Sequence, residues 1–334
     1  LGIGNKINQS SPQQILFFKN PEEIISVSCG NHHCVCVCKN GVFSWGDNYY
    51  GQLGIGNKMN QSFPQQILFF KNPEEIISLS CGSYDCVCVC KNGVFSWGEN
   101  DHGQLGIGNI MNQSFPQQIL FFKNPEEIIF LSCGDSFCVC VCKNGVFSWG
   151  RNNFGQLGIG NKIDQSSPQQ ILFFKNPEEI ISVSCGGHFS ICICKNGVFS
   201  WGYNYHGELG IGNKIDQSSP QQITFFENPE KIISFSCGIN SWYCICKNGV
   251  FVCGRYTKHL GTKKKIYRSS PKKWFPKGII DSYLNLSFPK SSTYLRREKK
   301  ILLALIREYS DPDQHLLGKY YLPLDLFKTF LKLI

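Results

Sequence analysis

The chain has 334 residues, 42% of them hydrophobic and 13% aromatic, with 33 Gly, 15 Pro and 19 Cys. That composition holds enough apolar surface for a packed core and excludes both a disordered chain and a collagen-like one. The net charge of +9 is unevenly held: residues 1–254 carry 15 Lys and Arg against 18 Asp and Glu, and residues 255–334 carry 18 against 6. A basic excess of this kind can attract nucleic acid, anionic membrane or acidic protein surfaces, but it sits outside the slightly acidic body, for which direct DNA binding is not expected. A solvated charged edge is the expected reading of it.

No apolar run approaches the roughly 18–20 residues of a spanning helix, and no charged-then-apolar leader opens the chain. A soluble intracellular protein is expected, cytoplasmic with the nucleus as the alternative and no membrane partner. The run Cys34-Val35-Cys36-Val37-Cys38 has strand character. Residues two apart share one face of a strand, where neighbouring bridges would compete, so reduced thiols packed as small apolar side chains are expected.

Taken along the chain, residues 14–18 read as a weak strand between Ser11-Pro12 and Asn20-Pro21, residues 24–28 as an apolar strand, and residues 34–38 as an alternating one. Residues 42–45 form a third well-marked strand, rich in β-branched and aromatic side chains. Between the last two, Asn40-Gly41 predicts a type I′ hairpin turn. The whole unit then returns. Ser44-Trp45-Gly46 recurs as Ser96-Trp97-Gly98, Ser148-Trp149-Gly150, Ser200-Trp201-Gly202 and the altered Val252-Cys253-Gly254, with a period of 52. Gly51-Gln52-Leu53-Gly54 recurs at Gly103, Gly155 and, with Glu208 in place of Gln, Gly207. Four short strands per repeat, with no sustained 3.6-residue apolar period, predict an all-β β-propeller of about 52-residue four-stranded blades. Five units follow a leading half-unit, so the ring is expected to be incomplete or to close with few blades. The opening Leu1, inside a repeat, suggests a fragment.

The succession Cys29-Gly30, His33, Gly41-Val42-Phe43, Trp45-Gly46, Asn48 and Gly51-Gln52-Leu53-Gly54 resembles the repeat of the regulator of chromosome condensation family over residues 1–287. The resemblance implies a propeller, typically of seven blades. It also implies a role as an exchange factor for the small GTPase Ran, as part of a ubiquitin ligase or as an interaction scaffold. The family histidine is kept only at His33, and Cys253 replaces the last repeat's tryptophan, so the final blade is expected to be degenerate. Light sensing through extra clustered tryptophans, found in a plant member, is not expected: outside Trp-Gly the chain offers only Trp242 and Trp274.

The copies are nearly identical except after Cys-Gly and after Trp-Gly. Identical blades do not converge different residues on one point, and no enzyme motif is present, so no catalytic residue and no cofactor are expected. No Cys-x-x-Cys pair with a matching histidine spacing points to a metal. The hairpin between the two variable segments places them at one end of every blade. A protein partner is therefore expected on His32, His33, Tyr49, Tyr50, Tyr84, Asp85, Asp101, His102, Phe137, Arg151, Phe154, His188, Phe189, Tyr203, Tyr205, His206 and Trp242, types that combine contact area with hydrogen bonding. The expected function is a non-enzymatic interaction scaffold; the alternatives are guanine-nucleotide exchange on a Ran-like GTPase and substrate reception for a ubiquitin ligase.

Residues 288–334 are expected to form a basic helical tail. Leu295, Leu302, Leu303 and Ile306 share one face of an amphipathic helix from Ser292. The segment from Leu322 to Phe327 resembles the opening of an F-box, the segment that docks receptors onto a ligase.

Overall fold

The computed structural model describes residues 1–246, 249–257 and 265–276, so the helical tail and its F-box resemblance lie outside the described residues. Five antiparallel four-stranded sheets make five propeller blades. The first contains β1 (Ile24–Cys29), β2 (His33–Cys38), β3 (Gly41–Gly46) and β4 (Gln61–Gln66). The second contains β5 (Ile76–Cys81), β6 (Asp85–Cys90), β7 (Gly93–Gly98) and β8 (Gln113–Gln118). In the third lie β9 (Ile128–Cys133), β10 (Phe137–Cys142), β11 (Gly145–Gly150) and β12 (Gln165–Gln170). The fourth holds β13 (Ile180–Cys185), β14 (Phe189–Cys194), β15 (Gly197–Gly202) and β16 (Gln217–Gln222). The fifth ends the series with β17 (Ile232–Cys237), β18 (Ser241–Cys246), β19 (Gly249–Thr257) and β20 (Lys265–Pro276). The first strands β1, β5, β9, β13 and β17 touch in succession, so they line the centre of the arc and the fourth strands its outer edge.

Two local expectations are corrected. The fourth strand is Gln61–Gln66 and its copies, not the segment matching residues 14–18, which holds a turn at residues 16–17 and its copies. Pro64 sits inside this strand because it is an edge, where a missing N–H faces no ladder partner, and the pairing with β3 is interrupted between Ser44 and Gly46. Each sequence unit thus completes the blade before it, and residues 9–14 form no strand. The second correction concerns the hairpin. Cys38 pairs with Gly41, so its two loop residues are Lys39 and Asn40. Neither has positive φ, which rules out the type I′ turn.

Alternation in the second strand of each blade builds the core. Val35 and Val37 leave one face of β2 and pack against Cys86, Cys88 and Cys90 of β6. Val87 and Val89 meet Cys138, Cys140 and Cys142 in the next seam, and Ile191 and Ile193 meet Cys244 and Cys246 in the last. Branched side chains on one face fit thiols on the facing one, so each seam is filled by a large and a small partner.

The tryptophans close the seams. The Trp97 indole donates to the Gln52 carbonyl of the preceding unit at 3.0 Å, and Trp149 and Trp201 repeat this on Gln104 and Gln156 at 2.9 Å. Gly54, at φ +68°, lies so close beneath Trp97 that a Cβ there would stand 2.8 Å from the indole nitrogen. Both the left-handed backbone and the close approach require glycine. The leading half-unit serves the first blade in the same way, with Gly2 against Trp45 and with Ile15 and Phe18 covering Cys36, Cys38 and Phe43.

Candidate functional site

The two variable segments of each blade meet on one face, as the hairpin geometry predicts. Asp47 N–H donates to the His32 carbonyl at 2.9 Å, and the same bond joins Glu99 to Tyr84, Arg151 to Ser136, Tyr203 to His188 and Arg255 to Asn240. In the first four blades the loop below the tip is clamped by constant residues. The buried Asn48 amide donates to the carbonyls of Asn57 and Met59, and its Oδ1 accepts the Leu53 N–H at 2.9 Å. Asn100, Asn152 and Asn204 repeat the clamp. Gln52 Oε1 accepts the Tyr50 N–H, Gln104 and Gln156 do the same for His102 and Phe154, and Glu208 for His206. Variable side chains therefore ride on a backbone whose polar groups are satisfied locally, a pre-ordered surface that loses little entropy on binding.

Three zones follow one another across the face. On the first two blades, Tyr50 packs against Tyr49 and Tyr84 with ring centroids 4.9 and 5.4 Å away, and His32 lies 6.0 Å from Tyr84. Tyr49 and Tyr50, with Lys58, Asp101 and Asn112, line a shallow depression. A central zone is acidic: Glu99, Asp101 and Asp135 lie near one another, His102 Nδ1 is 2.8 Å from Asp164 Oδ2, and His188 Nε2 is 3.6 Å from Asp135 Oδ2. Burial, then Asp101 and Asp135, raise the Glu99 pKa, and Glu99 in turn heads the causes that raise that of Tyr50. The third zone is aromatic again. Phe154 lies 4.8 Å from Tyr203, and Tyr205 and Tyr267 lie 5.0 and 5.1 Å from His206. Burial, then Arg255, Lys214 and Lys265, lower the His206 pKa.

Of the residues expected to contact a partner, His32, Tyr49, Tyr50, Tyr84, Asp101, His102, Arg151, Phe154, His188, Tyr203, Tyr205 and His206 reach the solvent side of this face, with Tyr49 and Tyr205 at 74% and 66% exposure. Five do not. His33, Asp85, Phe137, Phe189 and Trp242 are buried, because each sits within its second strand with its side chain turned into a seam. For the first four the period of two decides this: the first residue of β2, β6, β10 and β14 faces the seam ahead of its blade, whereas Trp242, second in β18, faces the seam behind. Glu99, Asp135, Asp164, Arg255 and Tyr267 join the face although sequence reading passed them over. Glu99 and Asp135 were legible as members of the variable segments, whereas Tyr267 arrives from the edge strand of the fifth blade.

The five inward residues form a series of slots between blades. In the first, His33 Nε2 is 3.1 Å from Cys86 Sγ, which is 3.1 Å from Cys81 Sγ. Burial raises the Cys86 pKa; for Cys81 burial is outweighed by hydrogen bonds from Cys86 and His33, which hold it below the ordinary thiol value. In the second slot the buried Asp85 carboxyl has no hydrogen-bond partner and lies beside Cys133 and Cys138, which are joined as a disulfide. The expectation of reduced thiols fails at this pair: the two cysteines are directly opposed on β9 and β10, with Cα atoms 4.1 Å apart, so a bridge forms across strands and not along one. Phe137 and Phe189 fill the third and fourth slots.

The profile of the RCC1-like domain matches residues 1–245. The chain is 30% identical over 278 residues to the ultraviolet-B receptor UVR8 of Arabidopsis thaliana, a match covering 81% of this chain and 62% of the receptor. It is 34% identical over 205 residues to the probable E3 ubiquitin-protein ligase HERC6 of Homo sapiens, covering 59% of this chain and 20% of the ligase. Among solved structures, Prp20p from Saccharomyces cerevisiae superposes with a TM-score of 0.64 at 21% identity, over 82% of this chain and 71% of Prp20p, which supports the propeller fold. The chain thus spans about three fifths of one curated relative and a fifth of the other. With its repeat, its blades and its profile in agreement, the chain belongs to the RCC1-like domain family of β-propellers.

Proposed function

We propose that the chain is a non-enzymatic protein-interaction scaffold that holds a protein partner on the variable-loop face, through the two aromatic zones and the acidic strip between them. The observation that carries this reading is the pairing of the two variable segments in all five described blades, on a backbone clamped by asparagine in the first four. Variation is concentrated where the structure presents side chains to solvent, and the supporting residues stay constant. Tyrosine, histidine and phenylalanine offer large contact areas at low entropic cost.

The test is a combined Tyr49→Ala, His102→Ala, Phe154→Ala and Tyr205→Ala variant, used beside the unaltered chain to capture partners from extract. These side chains lie outside the seams, so circular dichroism and melting temperature should match. Partners recovered by the original chain should be lost. Recovery of the same partners in the same yield would overturn the proposal.

A second reading, guanine-nucleotide exchange, draws support from the fold shared with Prp20p, which binds Gsp1p and histones. The even 52-residue period from Cys29 to Cys237 leaves no inserted element to engage a GTPase. Acceleration of nucleotide release from a Ran-like GTPase would favour this reading over the scaffold. The likeness to HERC6 bears on the ubiquitin-ligase alternative, which rests on residues 288–334; binding of a ligase adaptor by that segment is its test.

A further inference from the structure

The slot between the first two blades differs in chemistry from every other described slot. It brings together an imidazole from one blade and two thiols from the next, with His33 Nε2, Cys81 Sγ and Cys86 Sγ all within 4.8 Å of one another. All three residues are buried, and Cys81, at 8% exposure, is the one nearest solvent. Gly30 beneath the imidazole leaves room for the ring, since a Cβ there would stand 2.3 Å from it. Among the described residues His33 Nδ1 has no hydrogen-bond partner, so the ring orientation is set by the thiol side.

We propose that His33, Cys81 and Cys86 form a binding site for a thiophilic d10 metal ion of the zinc(II) class, bridging the first and second blades. Two thiolates and one imidazole nitrogen are a donor set that zinc(II) takes, leaving a fourth position for water or another small ligand. Cys81 and Cys86 bind as thiolates, so a divalent ion entering the slot displaces two thiol protons, while His33 binds as the neutral imidazole with its remaining proton on Nδ1. The ligands come from strands separated by a seam, so the ion ties two blades that are otherwise held by packing and hydrogen bonds.

The later slots show why the site belongs to the first seam. In the second, Asp85 faces cysteines already joined to each other and thus without thiolates. In the third, Phe137 replaces the imidazole and Ser190 stands opposite Cys185. In the fourth, Phe189 faces the seam and Trp242 stands opposite Cys237. The repeat itself therefore supplies substitutions that the fold already accommodates: His33→Phe reproduces the third and fourth slots, and Cys86→Ser reproduces Ser190.

The full chain, stripped with a chelator under oxygen-free conditions without added reductant so that the Cys133–Cys138 bridge stays closed, is titrated with cobalt(II) and then with zinc(II). The expected result is a near-ultraviolet thiolate-to-cobalt charge-transfer band with visible transitions of tetrahedral intensity, erased by a single equivalent of zinc(II), with proton release during uptake. His33→Phe and Cys86→Ser should each lose that equivalent and the band while keeping the strand circular-dichroism spectrum. Equal uptake by the original chain and both variants, absence of a thiolate band in the original chain, or a Cys81–Cys86 disulfide recovered by peptide mapping of the unreduced chain would each overturn the proposal.

Discussion

Trp242 and Cys253 face each other across β18 and β19 in exchanged positions: the indole stands on the second strand where the earlier blades carry Cys or Ser, and the thiol on the third strand where they carry Trp. The exchange preserves the seam. Trp242 donates its indole N–H to the Glu208 carbonyl at 2.8 Å, the counterpart of the carbonyls used by Trp97, Trp149 and Trp201. Cys253 points its thiol at the carbonyls of Gly207 and Arg268. The last blade, altered as its sequence is, therefore keeps a tryptophan in its seam. Trp242→Ala should cost about 3–5 kcal/mol, as expected for emptying a fully buried aromatic site. The double exchange Trp242→Cys with Cys253→Trp should recover most of that loss by restoring the arrangement of the other blades. Urea unfolding of the three chains measures both steps; a double variant no more stable than the single one would refute the equivalence.

Asp85 offers the opposite case, a polar side chain in a slot built for an apolar one. Both carboxyl oxygens are buried and without hydrogen bonds. Burial first, then Glu99, Cys81 and Asp135, push its pKa well above the usual carboxylate value. The native state thus holds a proton that the unfolded chain releases above about pH 4, so this group lowers stability progressively as pH rises from that point. Asp85→Phe, matching Phe137 and Phe189 in the equivalent positions, should stabilise the chain by about 1–3 kcal/mol at neutral pH. Its advantage should shrink on acidification. Thermal unfolding of both chains at pH 4 and pH 7 tests the size and the sign.

The sequence made the blade count, the strand order within a hairpin and the shared face of the variable loops legible, because a 52-residue period with fixed glycines leaves few other ways to bury alternating strands. It was less informative about direction. His33, Phe137 and Phe189 lie at the boundary between a variable segment and a strand, and composition alone does not tell an aromatic on the last loop residue from one on the first strand residue. A one-residue difference reverses the face a side chain takes. The fourth strand was misplaced for a related reason: Pro64 reads as a boundary, yet on an edge strand proline is tolerated inside. The slot of His33, Cys81 and Cys86 was hidden because His33 lies about 50 residues from the two cysteines and meets them only when blades stack.

The disulfide between Cys133 and Cys138 gives a direct chemical prediction. Alkylation of denatured, unreduced chain should leave these two cysteines unlabelled, and peptide mapping should recover them as one linked pair. Reduction before denaturation should label both. Cys138→Ser should fold, because Ser190 occupies the matching place and donates its hydroxyl to the Gln156 carbonyl at 3.3 Å. Full labelling of Cys133 and Cys138 without reduction would refute the pairing.

Glu208 stands where the other repeats have Gln52, Gln104 and Gln156, and like them it accepts the backbone N–H two residues earlier, here from His206 at 2.8 Å. Its side chain is fully buried, and its Oε1 has no partner. Burial dominates and raises its pKa from 4.5 to about 7, with the bond from His206 and the charge of Arg255 opposing. The folded chain therefore retains a proton that the unfolded chain loses above about pH 4.5, and stability falls as pH rises from there through pH 7. The loss amounts to about 3 kcal/mol at roughly 1.4 kcal/mol per pH unit. Glu208→Gln keeps the acceptor for His206 and supplies an amide that does not ionise, so its stability should be flat across that interval and exceed the original chain's above pH 7. Chemical unfolding between pH 4.5 and pH 8 measures both curves; parallel curves would show that Glu208 is ionised in the fold throughout.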